Sequence, residues 1–146
     1  MLAELAIATV MVLLTVMIHG AGLLALGHAM ALRDRRSNEA RASPLSSEGA
    51  IVAVVAALGL VVLHGVEIWL YAFLYRAIGA IAVLRDAVYF STIAYGSIGF
   101  SDAVMAPEWK LLGAIEGING SMLLGWSVAF FVTLMTRFIP ARHHNG

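Results

Sequence analysis

Cysteine is absent from the 146-residue chain. Its absence excludes disulfide frameworks, thiolate metal sites and cysteine nucleophiles, and leaves the redox compartment unreadable. Charge is also scarce: Asp, Glu, Lys and Arg make up 12% of the residues, against about 25% in an ordinary soluble domain. Nine basic residues balance nine acidic ones, so no excess of either sign points to nucleic acid or to an anionic surface. There is no helix with Arg at every third position, and no Walker motif, dinucleotide-binding glycine loop or nucleophile elbow. What is abundant is apolar surface. Apolar residues account for 61% of the chain and its mean hydropathy is +0.90, where soluble domains are about 45–50% apolar. These values describe a small integral membrane protein rather than a water-soluble globule.

Three stretches are long enough to cross a bilayer. No charged residue occurs between Glu4 and Arg33, and the run from Leu5 to Leu32 exceeds the roughly 20 residues that span a ~30 Å hydrocarbon core. It lacks a positive leading region and is longer than a signal-peptide core, so it reads as a retained span. A polar linker follows at 34–48, carrying Pro44 and a serine cluster. A second span is expected from Gly49 to about Tyr75, closed by Arg76, and a third from Trp109 to about Phe138. The organisation expected is a peripheral helix at 1–33, the linker, a domain at 49–139 made of a helix, a loop at 85–102 and a helix, and a tail at 140–146. Arg33, Arg35, Arg36 and Arg41 near the linker and Arg137 and Arg142 near the tail place both on the cytoplasmic side. The N-terminus is then outside. Trp69, Tyr71, Phe73, Tyr75 and Trp109 read as an aromatic belt at the outer interface.

Between the second and third spans, Ala87 to Ser101 is uncharged and mostly apolar, yet too short to cross and return as helix. A helix of about 11 residues from Arg85 to Tyr95 would descend ~16 Å, and an extended return of about 6 residues would rise ~20 Å. The two legs match as a re-entrant loop. Non-helical backbone at that depth is tolerated only inside protein or against water, so several copies around a central axis are expected.

The residues Tyr89-Phe90-Ser91-Thr92-Ile93-Ala94-Tyr95-Gly96-Ser97-Ile98-Gly99-Phe100-Ser101-Asp102 carry a resemblance. This segment resembles the pore helix and filter of potassium channels built from two helices around a pore loop. Ser97, Ile98, Gly99, Phe100 and Ser101 stand where the family has T-V-G-Y-G, and Asp102 follows in place. The resemblance covers about Gly49 to Phe138, including the glycine-containing last helix from Gly117 to Gly125. It implies an all-α integral membrane fold: a potassium-channel-like pore domain with three transmembrane helices plus a re-entrant pore helix and filter, closed as a homotetramer. It also implies ion-binding carbonyls at Ser97, Ile98, Gly99, Phe100 and Ser101, with the Ser97 hydroxyl adding an oxygen at the inner mouth. Gly99 permits left-handed backbone, whereas Ser101, at the second glycine place, would adopt it at a cost of roughly 1–2 kcal/mol. Asp102 would form a carboxylate ring at the outer mouth. On the third span, Ile118, Met122, Gly125, Ala129 and Thr133 form a stripe that lines the cavity or packs helices closely.

Ionisable residues inside the membrane need partners. His64 and Glu67, three apart on one helical face, and Glu116 are expected as a buried polar brace behind the filter, with a proton relay or metal site as the competing reading. Asn119 can join either. His19 and His28 fall on opposite helical faces and are poor co-ligands, so both read as core or interface residues. Met11 and Met17 read as apolar filler, and His143 and His144 as polar tail. No transition-metal site and no cofactor beyond a permeant K+ or other monovalent cation is expected. The function expected is passive monovalent cation conduction in a cell membrane, with lipids and identical copies as the only partners. The alternatives are a proton-coupled transporter using Glu67 and Glu116, or a nonconducting channel-like subunit.

Overall fold

The computed structural model describes residues 1–36, 47–99 and 103–136, with the side chains of 34–36 and 47–48 left aside. Four α-helices follow in order: α1 (Leu2–Arg36), α2 (Ser47–Ala77), α3 (Leu84–Tyr95) and α4 (Lys110–Thr136), with a 3₁₀ turn at Pro107–Trp109 before α4. No strand occurs among the described residues. In hydrocarbon every backbone amide must be satisfied within its own segment, so uncharged runs of Ala, Leu, Val and Ile become helix. The prolines fall outside α1 to α4; Pro107 occupies the first turn of the 3₁₀ segment, where its missing N–H costs nothing.

Three helices, containing Leu2–Arg33, Gly49–Ala77 and Lys110–Thr136, are long and apolar enough to cross a membrane. The fourth, α3, has 12 residues and covers about 18 Å. It packs between α2 and α4, and α1 packs against the other side of both. The helix ends show which connections share a side. Glu4 Oε1 accepts the backbone N–H of Leu112 at 3.1 Å, a carboxylate satisfying an orphan donor in the first turn of α4. Ala106 N–H donates to Ala80 O at 2.9 Å. The start of α1, the end of α2 and the start of α4 therefore lie at one end of the bundle, the end from which α3 enters.

Two sequence expectations change here. Tyr71 and Tyr75 are fully buried, whereas Trp69 and Phe73 are exposed; the four cannot form one belt, because the tyrosine pair at i, i+4 faces inward and finds polar partners there. The first helix is also more than peripheral packing. It buries Glu4, Thr15 and His19, each hydrogen-bonded across to another helix. The linker residues 37–46, the expected filter residues Phe100 and Ser101, the expected outer-mouth Asp102, and the tail from Arg137 with Phe138, Arg142, His143 and His144 lie outside the described residues.

Candidate functional site

The site begins where α3 stops. Ile98 N–H donates to Ile93 O at 3.1 Å and Ser97 N–H to Ala94 O at 3.0 Å, while Ser97 has φ +51°. This is a Schellman cap with Ser97 in the left-handed position. The same cap closes α2, where Ala80 N–H reaches Tyr75 O at 2.9 Å and Gly79 has φ +74°. The α2 cap uses glycine, which tolerates that backbone freely; the α3 cap imposes it on a serine. An extended return therefore does not start at Ser97, and the left-handed residue of the described filter segment is Ser97 rather than Gly99. The Ser97 hydroxyl, expected at an ion mouth, lies 2.6 Å from Ser121 Oγ. Ile98 is 76% exposed.

Depth follows from α4. Ser121 lies 11 residues after Lys110, about 16 Å along the helix, so the end of α3 reaches roughly mid-membrane. Glycines make this approach possible. A β-carbon on Gly120 would fall 2.2 Å from Tyr95 O, and one on Gly117 3.2 Å from Ala94 O; α4 thus meets the end of α3 backbone to backbone. Gly125 has nothing within 4 Å. Beside the cap, between the end of α3 and the first half of α4, Ala94, Ser97, Gly99, Gly113, Gly117 and Ser121 border an open cavity of about 310 Å³. Ile118 and Met122 are 74% and 55% exposed, and Gly125, Ala129 and Thr133 continue the exposed face. No other element among the described residues covers Ile118 or Met122.

The expected single brace is two separate networks. Glu116 Oε2 accepts from Tyr75, and Oε1 accepts from the Ser91 hydroxyl, which lies 3.0 Å from Ile68 O; this ties α4 and α2 to the middle of α3. Glu67 Oε1 lies 3.0 Å from His19 Nδ1, and Oε2 accepts from Tyr95, the last residue of α3. Tyr95 is 3.0 Å from His64 Nδ1, and Ser127 Oγ sits 3.2 Å from His19 Nε2 and 2.9 Å from His64 Nε2. The five residues close a ring. One assignment with neutral imidazoles gives four of the five contacts a proton: His19 Nδ1–H donates to Glu67, Ser127 to His19 Nε2, His64 Nε2–H to Ser127, and Tyr95 to Glu67, which leaves no proton between the Tyr95 hydroxyl and His64 Nδ1. Asn119 joins neither carboxylate; its amide donates to Thr15 Oγ1 at 2.8 Å and to Tyr71 at 3.1 Å. Glu67 and Glu116 are both fully buried, a placement tolerable in a membrane only with such donors around them.

His64 and Glu67 meet as expected, 3.4 Å apart, whereas Glu116 stands apart because its partners are one turn earlier on α3. His19 and Ser127 were missed as members. A signal existed: His19 lies 17 residues after Leu2, and Ser127 lies 17 after Lys110. Both are about 26 Å from the same end of the bundle, so matching polar residues by depth pairs them. His28 is exposed and takes no part in these networks.

The sequence profile of the ion channel family matches residues 50–137, which takes in α2, α3, the filter segment and α4. No curated protein and no solved structure matches the chain. The match covers more than half of the sequence, and the chain belongs to the ion channel family as a potassium-channel-like pore protein with an additional N-terminal transmembrane helix.

Proposed function

We propose that four copies of this chain assemble around an axis to conduct monovalent cations passively, K+ in preference to Na+. The observation that carries this reading is α3: a helix of half-membrane length, held on one side by Glu67 and Glu116, releasing an exposed, non-helical chain at Ile98 beside an uncovered cavity. Such backbone at mid-membrane depth requires protein or water around it, and a ring of copies supplies both. In that assembly carbonyls of Ser97, Ile98, Gly99, Phe100 and Ser101 replace the ion's hydration shell, Asp102 forms a carboxylate ring at the outer mouth, and Ile118, Met122, Gly125, Ala129 and Thr133 line the inner cavity. The partly negative C-terminal end of α3 points into the membrane and favours a cation there. The arginine distribution supports a multi-pass arrangement in the cell membrane with the N-terminus outside and the C-terminus cytoplasmic.

The experiment is flux under K+ and Na+ gradients in liposomes containing only this protein, with native mass measurement in mild detergent. K+-selective reversal potentials and a four-chain assembly are expected, and Ser101→Gly should raise selectivity. Flux driven by a pH gradient and lost in Glu67→Gln would select proton coupling, although the two carboxylates share no hydrogen-bond partner among the described residues. Intact tetramers without flux would select the nonconducting subunit.

A further inference from the structure

We propose that His19, His64 and Glu67 form a binding site for one divalent transition-metal ion, Zn2+ being the ion their geometry fits. This site stands independently of the conduction reading. Ligand atoms of His19, His64 and Glu67 all lie within 4.8 Å of one another. A tetrahedral zinc ion with bonds of about 2.0–2.1 Å separates its ligands by roughly 3.3 Å. The two imidazole-to-carboxylate separations are close to that value: 3.0 Å from His19 Nδ1 to Glu67 Oε1 and 3.4 Å from His64 Nδ1 to Glu67 Oε2. Three ligand groups from α1 and α2 therefore converge, with the Tyr95 hydroxyl held on Glu67 as an outer-shell donor and a water able to complete four-coordination.

Both imidazoles present Nδ1 to the carboxylate and Nε2 to the same hydroxyl. Ser127 Oγ, 3.2 and 2.9 Å from the two Nε2 atoms, can accept a hydrogen bond from each. That leaves both Nδ1 lone pairs free for an ion, the outer-shell arrangement that fixes the tautomer of a metal-binding histidine. Without an ion His19 carries its proton on Nδ1 and His64 Nδ1 receives none, so ion uptake moves the His19 proton to Nε2, turns the Ser127 hydroxyl to accept from both imidazoles and engages the free His64 Nδ1 lone pair. Imidazole and oxygen ligands with no sulfur suit Zn2+ over Cu(I), and two imidazoles among three ligands disfavour Mg2+ and Ca2+. Entry is from one side: the His64 side chain is 13% exposed, while His19 and Glu67 are sealed. A bound ion would fasten α1 to α2, and Tyr95, the last residue of α3, would meet it through its hydrogen bond to Glu67.

The test titrates the purified full chain in mild detergent with Zn2+ by calorimetry, with Co2+ as a spectroscopic substitute. One ion per chain is expected, with the intense visible bands of four-coordinate Co2+. His19→Asn and Glu67→Gln, which keep hydrogen-bonding groups, should each weaken binding at least tenfold. Replacing His143 and His144 with alanine should change nothing. Should the variants fail to fold, the wild-type Co2+ spectrum decides alone, because six-coordinate binding gives weak bands. No uptake, six-coordinate bands, affinity unchanged in His19→Asn, or affinity lost with the tail histidines would each overturn the assignment.

Discussion

Around α3 the helices are joined by Glu4, Glu67, Glu116 and Asn119 reaching across to named partners, whereas at the opposite end α1, α2 and α4 meet through Met30, Val52, Ala56 and Leu134 with Leu26, Phe131 and Met135 around them. The two ends differ in what can specify them. Lipid tails are as apolar as leucine, so apolar contact between membrane helices gains dispersion and shape fit but little from leaving water. A buried carboxylate is different, because leaving its partner costs the desolvation of an unpaired polar group. The end that holds α3 is consequently fixed in depth and rotation by polar bonds, and the far end by small residues receiving large ones. There Leu26 lies against Gly59, and Leu63 lies against Gly22 nearer the polar layer.

The comparison breaks most readily at Gly120. Gly120→Ala places a methyl group 2.2 Å from the Tyr95 carbonyl, which is backbone and cannot swing aside. A loss of about 3 kcal/mol is expected, the upper part of the overpacking range, with conduction abolished as α3 is pushed off α4. Thermal unfolding in detergent and liposome flux read both effects. Gly125→Ala, with nothing within 4 Å, should change unfolding by no more than about 0.5 kcal/mol.

Next in size is Glu116→Leu, which strands the Tyr75 hydroxyl and one bond of Ser91 and should cost about 2–3 kcal/mol. Glu116→Gln keeps an acceptor and should cost about half of that. Glu67→Gln should likewise preserve most of the flux, since its expected role is to hold Tyr95 rather than to carry protons. Equal losses for Gln and Leu at position 116 would show that charge, not hydrogen bonding, holds the helix.

At the far end Leu134→Ala should cost only about 1–2 kcal/mol, below the roughly 2–5 kcal/mol of aqueous cores, because lipid solvates the vacated surface. A cost above that of Glu116→Leu would reverse the contrast between the two ends. The smallest effect is expected at Ser97. Ser97→Gly relieves about 1 kcal/mol of left-handed backbone strain and loses a hydroxyl bond of similar size, so its melting temperature should stay near wild type. Ser97→Ala loses the bond without relief and should fall about 1 kcal/mol below Ser97→Gly, a difference that measures the strain in the α3 cap.

The three long helices and the short α3 were legible in the sequence because a bilayer leaves so few choices. An uncharged run of 28 or so residues in hydrocarbon is a helix, and the half-length helix between Arg85 and Tyr95 agrees with the structure to one residue at its start. The glycine, serine and aromatic order from Gly96 to Asp102 carried the resemblance to a channel family, and the His64–Glu67 pair followed from helical spacing. Spacing within a helix is a property of one segment and reads directly from sequence. What needed the tertiary structure was every relation between segments. Which carboxylate faces which helix depends on rotation about axes whose apolar surfaces are nearly uniform, so Glu67 and Glu116 read as one cluster until packing separated them. Tyr71 and Tyr75 passed for interface aromatics for the same reason. The left-handed cap fell on Ser97 because the end of α3 must turn beside Gly117 and Gly120, a demand made by the neighbouring helix rather than by the loop. His19 entered the site because α1 runs antiparallel to α2 and brings its seventeenth residue past Leu2 level with Ser127, a coincidence of depth that only the assembled bundle turns into contact.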